Sequence, residues 1–484
     1  MIGQTKRLLR RLSYDTEKSI ELIQDNLTHI NKSLDQLTAK LTSVQEEAEK
    51  AKLDTSDRLQ LITEASREHN MIINKVSAIE SALAYVSLDK LVLGATGGGH
   101  NHTKPRILLC GFYGANNLGD ELMLESILEI IREDKYAITV MVSDNEYLDV
   151  SKYADLQIIH APKMVDDYYI LSDFYDLMIV GGGAMIDDDD YAAKKGLSSL
   201  TYSLIKLSRC FINKHKQSLW VGVSSVSKLE NKELVRDLKE VVNSSDYFSM
   251  RDRYSLLALG KAGIDTKKVR LAHDLVFYNS YLANMALRKA GQLDCAPPLS
   301  IYKVGIILVL NDNTYKRIED FLAGLLSQIG SKRESVEVRL ISFYDYLDND
   351  HKYFQKLAAA LREMGNFEII DVPASMEELT KILIGCDFVV SMRYHATLIS
   401  NILGRDTLCI DLSEEHRHYK NKMDNLYDSY KFAKNRILLD QLQPYSYSSN
   451  LPKTNESKQL VIEAFKQSTK EASNLKRAIT NSLS

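Results

Sequence analysis

The chain has 484 residues, room for about three domains by length alone, and its 45% hydrophobic and 26% charged residues exclude a disordered chain. Lys and Arg number 61 against 65 Asp and Glu, a formal charge of -4, which implies no general attraction for nucleic acid. No apolar run approaches the roughly 20 residues that span a bilayer, and no signal-peptide core opens the chain. Five scattered cysteines (Cys110, Cys210, Cys295, Cys386, Cys409) lack C-x-x-C spacing and suit a reducing compartment. The expected location is the cytoplasm.

Residues 1–14 form a basic segment, with Lys6-Arg7-Leu8-Leu9-Arg10-Arg11-Leu12 at its centre. Such a stretch either begins a solvated helix or touches an anionic membrane surface. Within residues 15–90, read as a coiled-coil region, a seven-residue repeat runs from Ile20 to Val86, with Ile20, Leu27, Leu34 and Leu41 at a and Ile23, Ile30, Leu37 and Val44 at d. About ten uninterrupted heptads predict a left-handed coiled coil on the order of 100 Å long. A lone amphipathic helix is the alternative. The coil implies a homo-oligomer, and multiplying the basic segment would strengthen peripheral contact with the inner face of the plasma membrane. Residues 91–104, with Gly97-Gly98-Gly99, read as a linker. No Gly-Lys-Ser/Thr follows them, so they are not a phosphate loop.

From residue 105 the texture becomes α/β. Strands are expected at Ile107–Cys110, Ile138–Val142, Leu177–Val180 (ending at Gly181), Leu219–Val223, Tyr247–Met250 and Val269–Leu271. A second series follows Pro297-Pro298: Val304–Leu310, Val336–Ile341, Phe367–Ile370, Phe388–Val390 and Thr407–Ile410. Strands alternating with helices imply two doubly wound parallel sheets, an N-terminal lobe over 105–290 and a C-terminal lobe over 291–440. The tail, 441–484, carries a helix near Val461–Ile479. Ligands of such sheets bind where the strands end.

Two strand ends carry chemistry. Gly111-Phe112-Tyr113-Gly114-Ala115-Asn116-Asn117-Leu118-Gly119-Asp120-Glu121 lies between the first strand and a helix. Its glycines permit close backbone approach, and Asn117, Asp120 and Glu121 suit helix capping or hydroxyl binding. Ser391-Met392-Arg393-Tyr394-His395 ends an apolar strand and opens a helix, placing a cation and a proton donor at a helix N-terminus. Asp187 to Asp190 form an acidic run that reads as a solvated loop rather than a cation site. His416, Arg417 and His418 follow the last strand of the second series.

These strings, in order, resemble the polysaccharide pyruvyl transferase family over roughly 106–426: Gly-x-Tyr-Gly-x-x-Asn-x-Gly-Asp-Glu, the strand ending in three glycines, Ser249-Met250-Arg251-Asp252, Asp274-Leu275-Val276-Phe277 and Ser391 to His395. Leu275 stands where the family has proline. The resemblance implies a fold of two Rossmann-like lobes, glycosyltransferase-B-like. It also implies an enzyme that moves a pyruvyl group from phosphoenolpyruvate onto two hydroxyls of a sugar, as a ketal. The acceptor would be a bacterial surface polysaccharide or its lipid-linked precursor. Phosphoenolpyruvate would be a co-substrate, with no cofactor and no metal implied.

The roles implied for this chain are Arg251 and Arg393 on the donor's anionic groups and His395 in proton transfer. Gly114, Asn117, Asp120, Gly182, Gly183, Lys422 and His418 would bind substrate. Arg251 has a plainer alternative, pairing with Asp252 or capping a helix. Two other functions suit a two-lobed chain with a coiled coil: a nucleotide-sugar glycosyltransferase, or a non-catalytic glycan-binding scaffold.

Overall fold

A computed structural model describes residues 104–142, 153, 156–161, 165–193, 199–226, 228–290, 301–344, 349–411, 417–432, 436–442 and 455–483. The basic segment, the coiled coil and all but the last residue of the linker lie outside the described residues.

Seven strands make the first sheet: β1 (Arg106–Cys110), β2 (Ala137–Val142), β3 (Gln157–His160), β4 (Leu177–Ile186), β5 (Gln217–Ser225), β6 (Phe248–Met250) and β7 (Arg270–Leu271). They run parallel in the order β3-β2-β1-β4-β5-β6-β7. The helices of this lobe are α1 (Leu118–Ile131), α2 (Val165–Phe174), α3 (Asp188–Ala193), α4 (Leu200–Asn213), α5 (Lys232–Ser244), α6 (Arg253–Lys261) and α7 (Ser280–Ala290). The second sheet has β8 (Ile301–Ile307), β9 (Ser335–Ile341), β10 (Asn366–Ile370), β11 (Phe388–Ser391), β12 (Asp406–Asp411) and β13 (Arg436–Leu438), in the parallel order β10-β9-β8-β11-β12-β13. Its helices are α8 (Asp312–Gly330), α9 (Asn349–Ala360), α10 (Met376–Ile384), α11 (Tyr394–Ile402) and α12 (Arg417–Tyr430), and α13 (Asn455–Leu483) follows.

Both orders reverse direction once, between β1 and β4 and between β8 and β11, so each lobe has a topological switch point at its strand ends. The fold is therefore two Rossmann-like lobes of the glycosyltransferase-B-like kind. Central strands such as β1, whose Ile107, Leu108, Leu109 and Cys110 are wholly buried, are covered on both faces and read as continuous apolar runs. The short edge strands β3 and β13 are partly exposed and carry no such run, so the sequence did not announce them.

Two strand ends differ from expectation. β4 does not stop at Gly181 but continues to Ile186, because Gly182 (φ +67) and Gly183 (φ +88) take up the left-handed region and the register with β5 shifts there. β8 ends at Ile307 rather than Leu310, and Asn311 then caps α8 with a capping box.

One apolar cluster unites the lobes. It runs from Leu122, Met123 and Ile127 of α1 through Leu275, Val276 and Phe277 to Ile307, Ile341, Val389 and Ala396 of the second lobe. Polar links cross the same seam: Glu125 of α1 accepts the Met376 N–H at the start of α10 (3.1 Å). The long α13 packs on the first lobe, where Glu471 accepts from Tyr247 Oη (3.0 Å) and Gln467 donates to the Leu271 carbonyl (3.3 Å). Among the described residues no helix is long and apolar enough to cross a membrane.

Candidate active site

β11 delivers Arg393 and His395 to the seam. Ser391 Oγ accepts the Arg393 N–H (3.2 Å) and donates to the Arg393 carbonyl (3.1 Å), while Thr397 donates to the same hydroxyl (3.0 Å). This web holds the turn from strand to helix. Arg393 occupies the N-cap of α11 and offers no side-chain acceptor to the first turn. By contrast α1, α4, α5, α6, α8 and α10 begin on Asn, Ser or Asp side chains that accept from their own N–H groups. The start of α11 therefore keeps its positive end, flanked by a guanidinium and an imidazole.

From the first lobe, β6 and β7 bring an ion pair to meet it. Arg251 follows β6, its N–H bonded to the Val223 carbonyl (2.9 Å), and its Nη1 lies 2.7 Å from Asp274 Oδ2, both side chains buried. Tyr394 lies under the guanidinium, 4.7 Å from ring centroid to Cζ. Burial opposes the Arg251 charge, but Tyr394, Asp274 and Asp252 outweigh it and raise its proton affinity. Burial likewise pushes the Asp274 carboxyl up, yet His395 and Arg251, with the Val276 N–H, hold it well below the usual carboxylate range. Asp252 is spent on capping α6 through the Ser255 N–H (2.7 Å). The hydrogen-bonded partner of Arg251 is Asp274.

His395 closes the constellation across the seam. Its Nε2 is 3.5 Å from Asp274 Oδ2, and no group among the described residues makes a hydrogen bond to that buried nitrogen. Its Nδ1 rests on Gly119, where a Cβ would stand only 2.1 Å away. The helix start of the first lobe is thus bare of side chain at the point where the imidazole of the second lobe needs the space.

The β1–α1 loop packs beside this point. Asn117 caps α1, and Glu121 Oε1 accepts the Gly114 N–H (2.7 Å). Leu118 N–H donates to the Phe343 carbonyl (3.0 Å), and Asn117 pairs with Tyr344 in an isolated antiparallel bridge. Asp120 is buried beneath the loop, its Oδ1 3.2 Å from the position a Cβ would take on Gly183. Gly182 faces Leu275 and Met123 in the same way, at 2.8 Å. Both glycines are buried under α1 and admit neighbouring side chains.

The structure therefore gathers Arg251, Arg393 and His395 with the loop that holds Gly114, Asn117 and Asp120. His418 and Lys422 lie on α12, and their side chains lie outside the described residues. The acidic run is used locally: Asp187 accepts from the Asp189 N–H (3.0 Å), Asp188 from the Asn231 N–H (3.0 Å) and Asp190 from the Thr201 N–H (2.8 Å). Sequence reasoning missed Asp274, Tyr394 and Asp350 as members of the site. Asp274 had a signal, since it heads one of the ordered motifs. Asp350, which meets Arg393 Nη2 at 3.2 Å, had none.

Residues 117–414 match the family model described as polysaccharide pyruvyl transferase. The chain belongs to the polysaccharide pyruvyl transferase family. Asn117, Asp120, Arg251, Asp274, Arg393 and His395 fall inside the matched span, and the match supports an enzyme that pyruvylates a polysaccharide. No curated protein matches the sequence. Among solved structures, this family member is similar to a UDP-GlcNAc 2-epimerase from Methanocaldococcus jannaschii, at 11% identity, covering 78% of this chain and 99% of that one, with a TM-score of 0.47. UGT89C1 of Arabidopsis thaliana aligns at 12% identity over 79% of this chain and 100% of its own, with a TM-score of 0.46. The ADP-heptose LPS heptosyltransferase II of E. coli aligns at 11% identity over 75% and 99%, with a TM-score of 0.35.

Proposed function

We propose that this pyruvyl transferase takes its pyruvyl group from phosphoenolpyruvate and closes it as a ketal on two hydroxyls of a sugar in a surface polysaccharide or its lipid-linked precursor. The observation that carries the reading is the uncapped start of α11, where Arg393 holds the N-cap and Tyr394 and His395 meet the Arg251–Asp274 pair of the other lobe. A planar, permanently charged guanidinium suits the donor's phosphate and carboxylate. Arg393 is the direct ligand, since its Nε is buried without a hydrogen-bond partner among the described residues. Arg251, tied to Asp274, adds the second positive charge.

His395 transfers its proton to the methylene carbon of phosphoenolpyruvate, which makes C2 electrophilic. The first sugar hydroxyl attacks C2 and its proton returns to His395. The C2–O bond to phosphate then breaks, and the neighbouring hydroxyl closes the ring at C2, its proton leaving with the phosphate. Asp274, kept ionised, stands 3.5 Å from Nε2 and faces the imidazole as its counter-charge. Gly114, Asn117 and Asp120 take the acceptor side, with Gly182 and Gly183 beneath them, and His418 and Lys422 are further substrate-binding candidates. A lipid-linked acceptor places the work at the inner face of the plasma membrane, where the N-terminal basic segment and an oligomeric coiled coil would hold the enzyme.

Replacing His395 by Ala or Gln tests the reading. Phosphate release from phosphoenolpyruvate in the presence of acceptor is expected to fall by roughly 10²–10⁴-fold with the fold intact; unchanged release would refute it. Phosphoenolpyruvate is expected to protect the protein against thermal unfolding. Protection by nucleoside diphosphates alone would point to a glycosyltransferase instead.

A further inference from the structure

The segment that joins the lobes also holds Arg393. Asp350 stands in the first turn of α9, is 4% exposed, and its Oδ2 accepts from both the Phe343 N–H (3.0 Å) and the Tyr344 N–H (2.9 Å). The same carboxylate takes Arg393 Nη2, at 3.2 Å from Oδ1 and 3.4 Å from Oδ2. Tyr344 completes the seat, its ring centroid 5.4 Å from the Arg393 guanidinium carbon. Phe343 and Tyr344 are also the residues that receive the first lobe, through the Leu118 N–H and the bridge to Asn117.

We propose that Asp350 is a positioning residue for the donor site: it fixes the Arg393 guanidinium at Nη2 and leaves Nε turned to the anion. Because its own place depends on the Phe343–Tyr344 backbone, the guanidinium is set by the segment on which the β1–α1 loop docks. Lobe contact and the geometry of the anion ligand are thereby one arrangement. A buried carboxylate on an anion ligand would otherwise oppose donor binding by its charge; here the gain is a guanidinium already aimed before the donor arrives. The inference rests on the reading of Arg393 as donor ligand.

The test is calorimetric titration of the full-length protein with phosphoenolpyruvate, for Asp350→Asn, Asp350→Ala and Arg393→Ala. Asn keeps an acceptor for the Phe343 and Tyr344 N–H groups but loses the charge that holds Arg393. It is expected to retain the thermal midpoint of the parent while weakening Kd on the order of tenfold. Ala removes both functions and is expected to lose stability and affinity together. A tighter or unchanged Kd in a folded Asp350→Asn protein overturns the proposal. In the Arg393→Ala background, Asp350→Asn is expected to weaken donor binding no further; additional weakening also overturns it. If Arg393→Ala itself leaves Kd unchanged, the donor-site reading fails. If Arg393→Ala weakens Kd and Asp350→Asn does not, only the role of Asp350 fails.

Discussion

Gly119→Ala probes the contact on which the proton-transfer reading depends. Gly119 lies in the first turn of α1, and a Cβ there would stand 2.1 Å from His395 Nδ1, 2.9 Å from Cγ and 3.0 Å from Cε1. An ordinary contact needs about 3.5 Å, so the imidazole or the helix must give way by roughly 1.4 Å. Helix stability does not suffer, because alanine is favoured over glycine in a helix by about 0.5–1 kcal/mol. A catalytic group moved by about 1 Å costs on the order of 10²-fold in rate. The expected result is a loss of that size in phosphate release from phosphoenolpyruvate, with the urea midpoint unchanged or raised. Turnover like that of the parent would refute the placement of His395. Loss of turnover together with loss of stability would refute the claim that the effect is local displacement.

Asp274→Ala leaves Arg251 as a buried charge without its carboxylate and is expected to cost about 3–5 kcal/mol of stability by urea unfolding; a midpoint within error of the parent would show that the pair is relieved by water. The contribution of Asp274 is present above its unfolded pKa of about 3.9 and is lost as pH falls below that, so it does not vary between pH 7 and 5. His273 behaves differently over that range. Burial pushes its pKa down, while Tyr430 Oη (2.7 Å) and Gln467 Oε1 (3.0 Å) hold the ring. Its neutral form stabilises the fold above the unfolded pKa of about 6.5, and that stability is lost as pH falls. The urea midpoint is expected to drop between pH 7.5 and 5.5, and His273→Gln is expected to flatten that slope; an equal slope in the variant would remove His273 as the cause.

The sequence by itself determined the alternation of strands and helices, because central parallel strands are buried on both faces and must be apolar along their whole length. It also marked Arg393, His395, Arg251 and the β1–α1 loop, since each lies where an apolar strand stops. The edge strands β3 and β13 escaped it, because exposed or half-exposed residues such as Gln157 and Arg436 carry no such run. What only the tertiary structure decided was pairing. Asp274 and His395 lie 121 positions apart, yet they face each other across a seam set by apolar packing of α1 against the second lobe. Asp350 meets Arg393 while its carboxylate accepts from the Phe343 and Tyr344 N–H groups. Local pattern records which side chains must be buried; which charges then meet depends on how two sheets, each complete in itself, are set against one another.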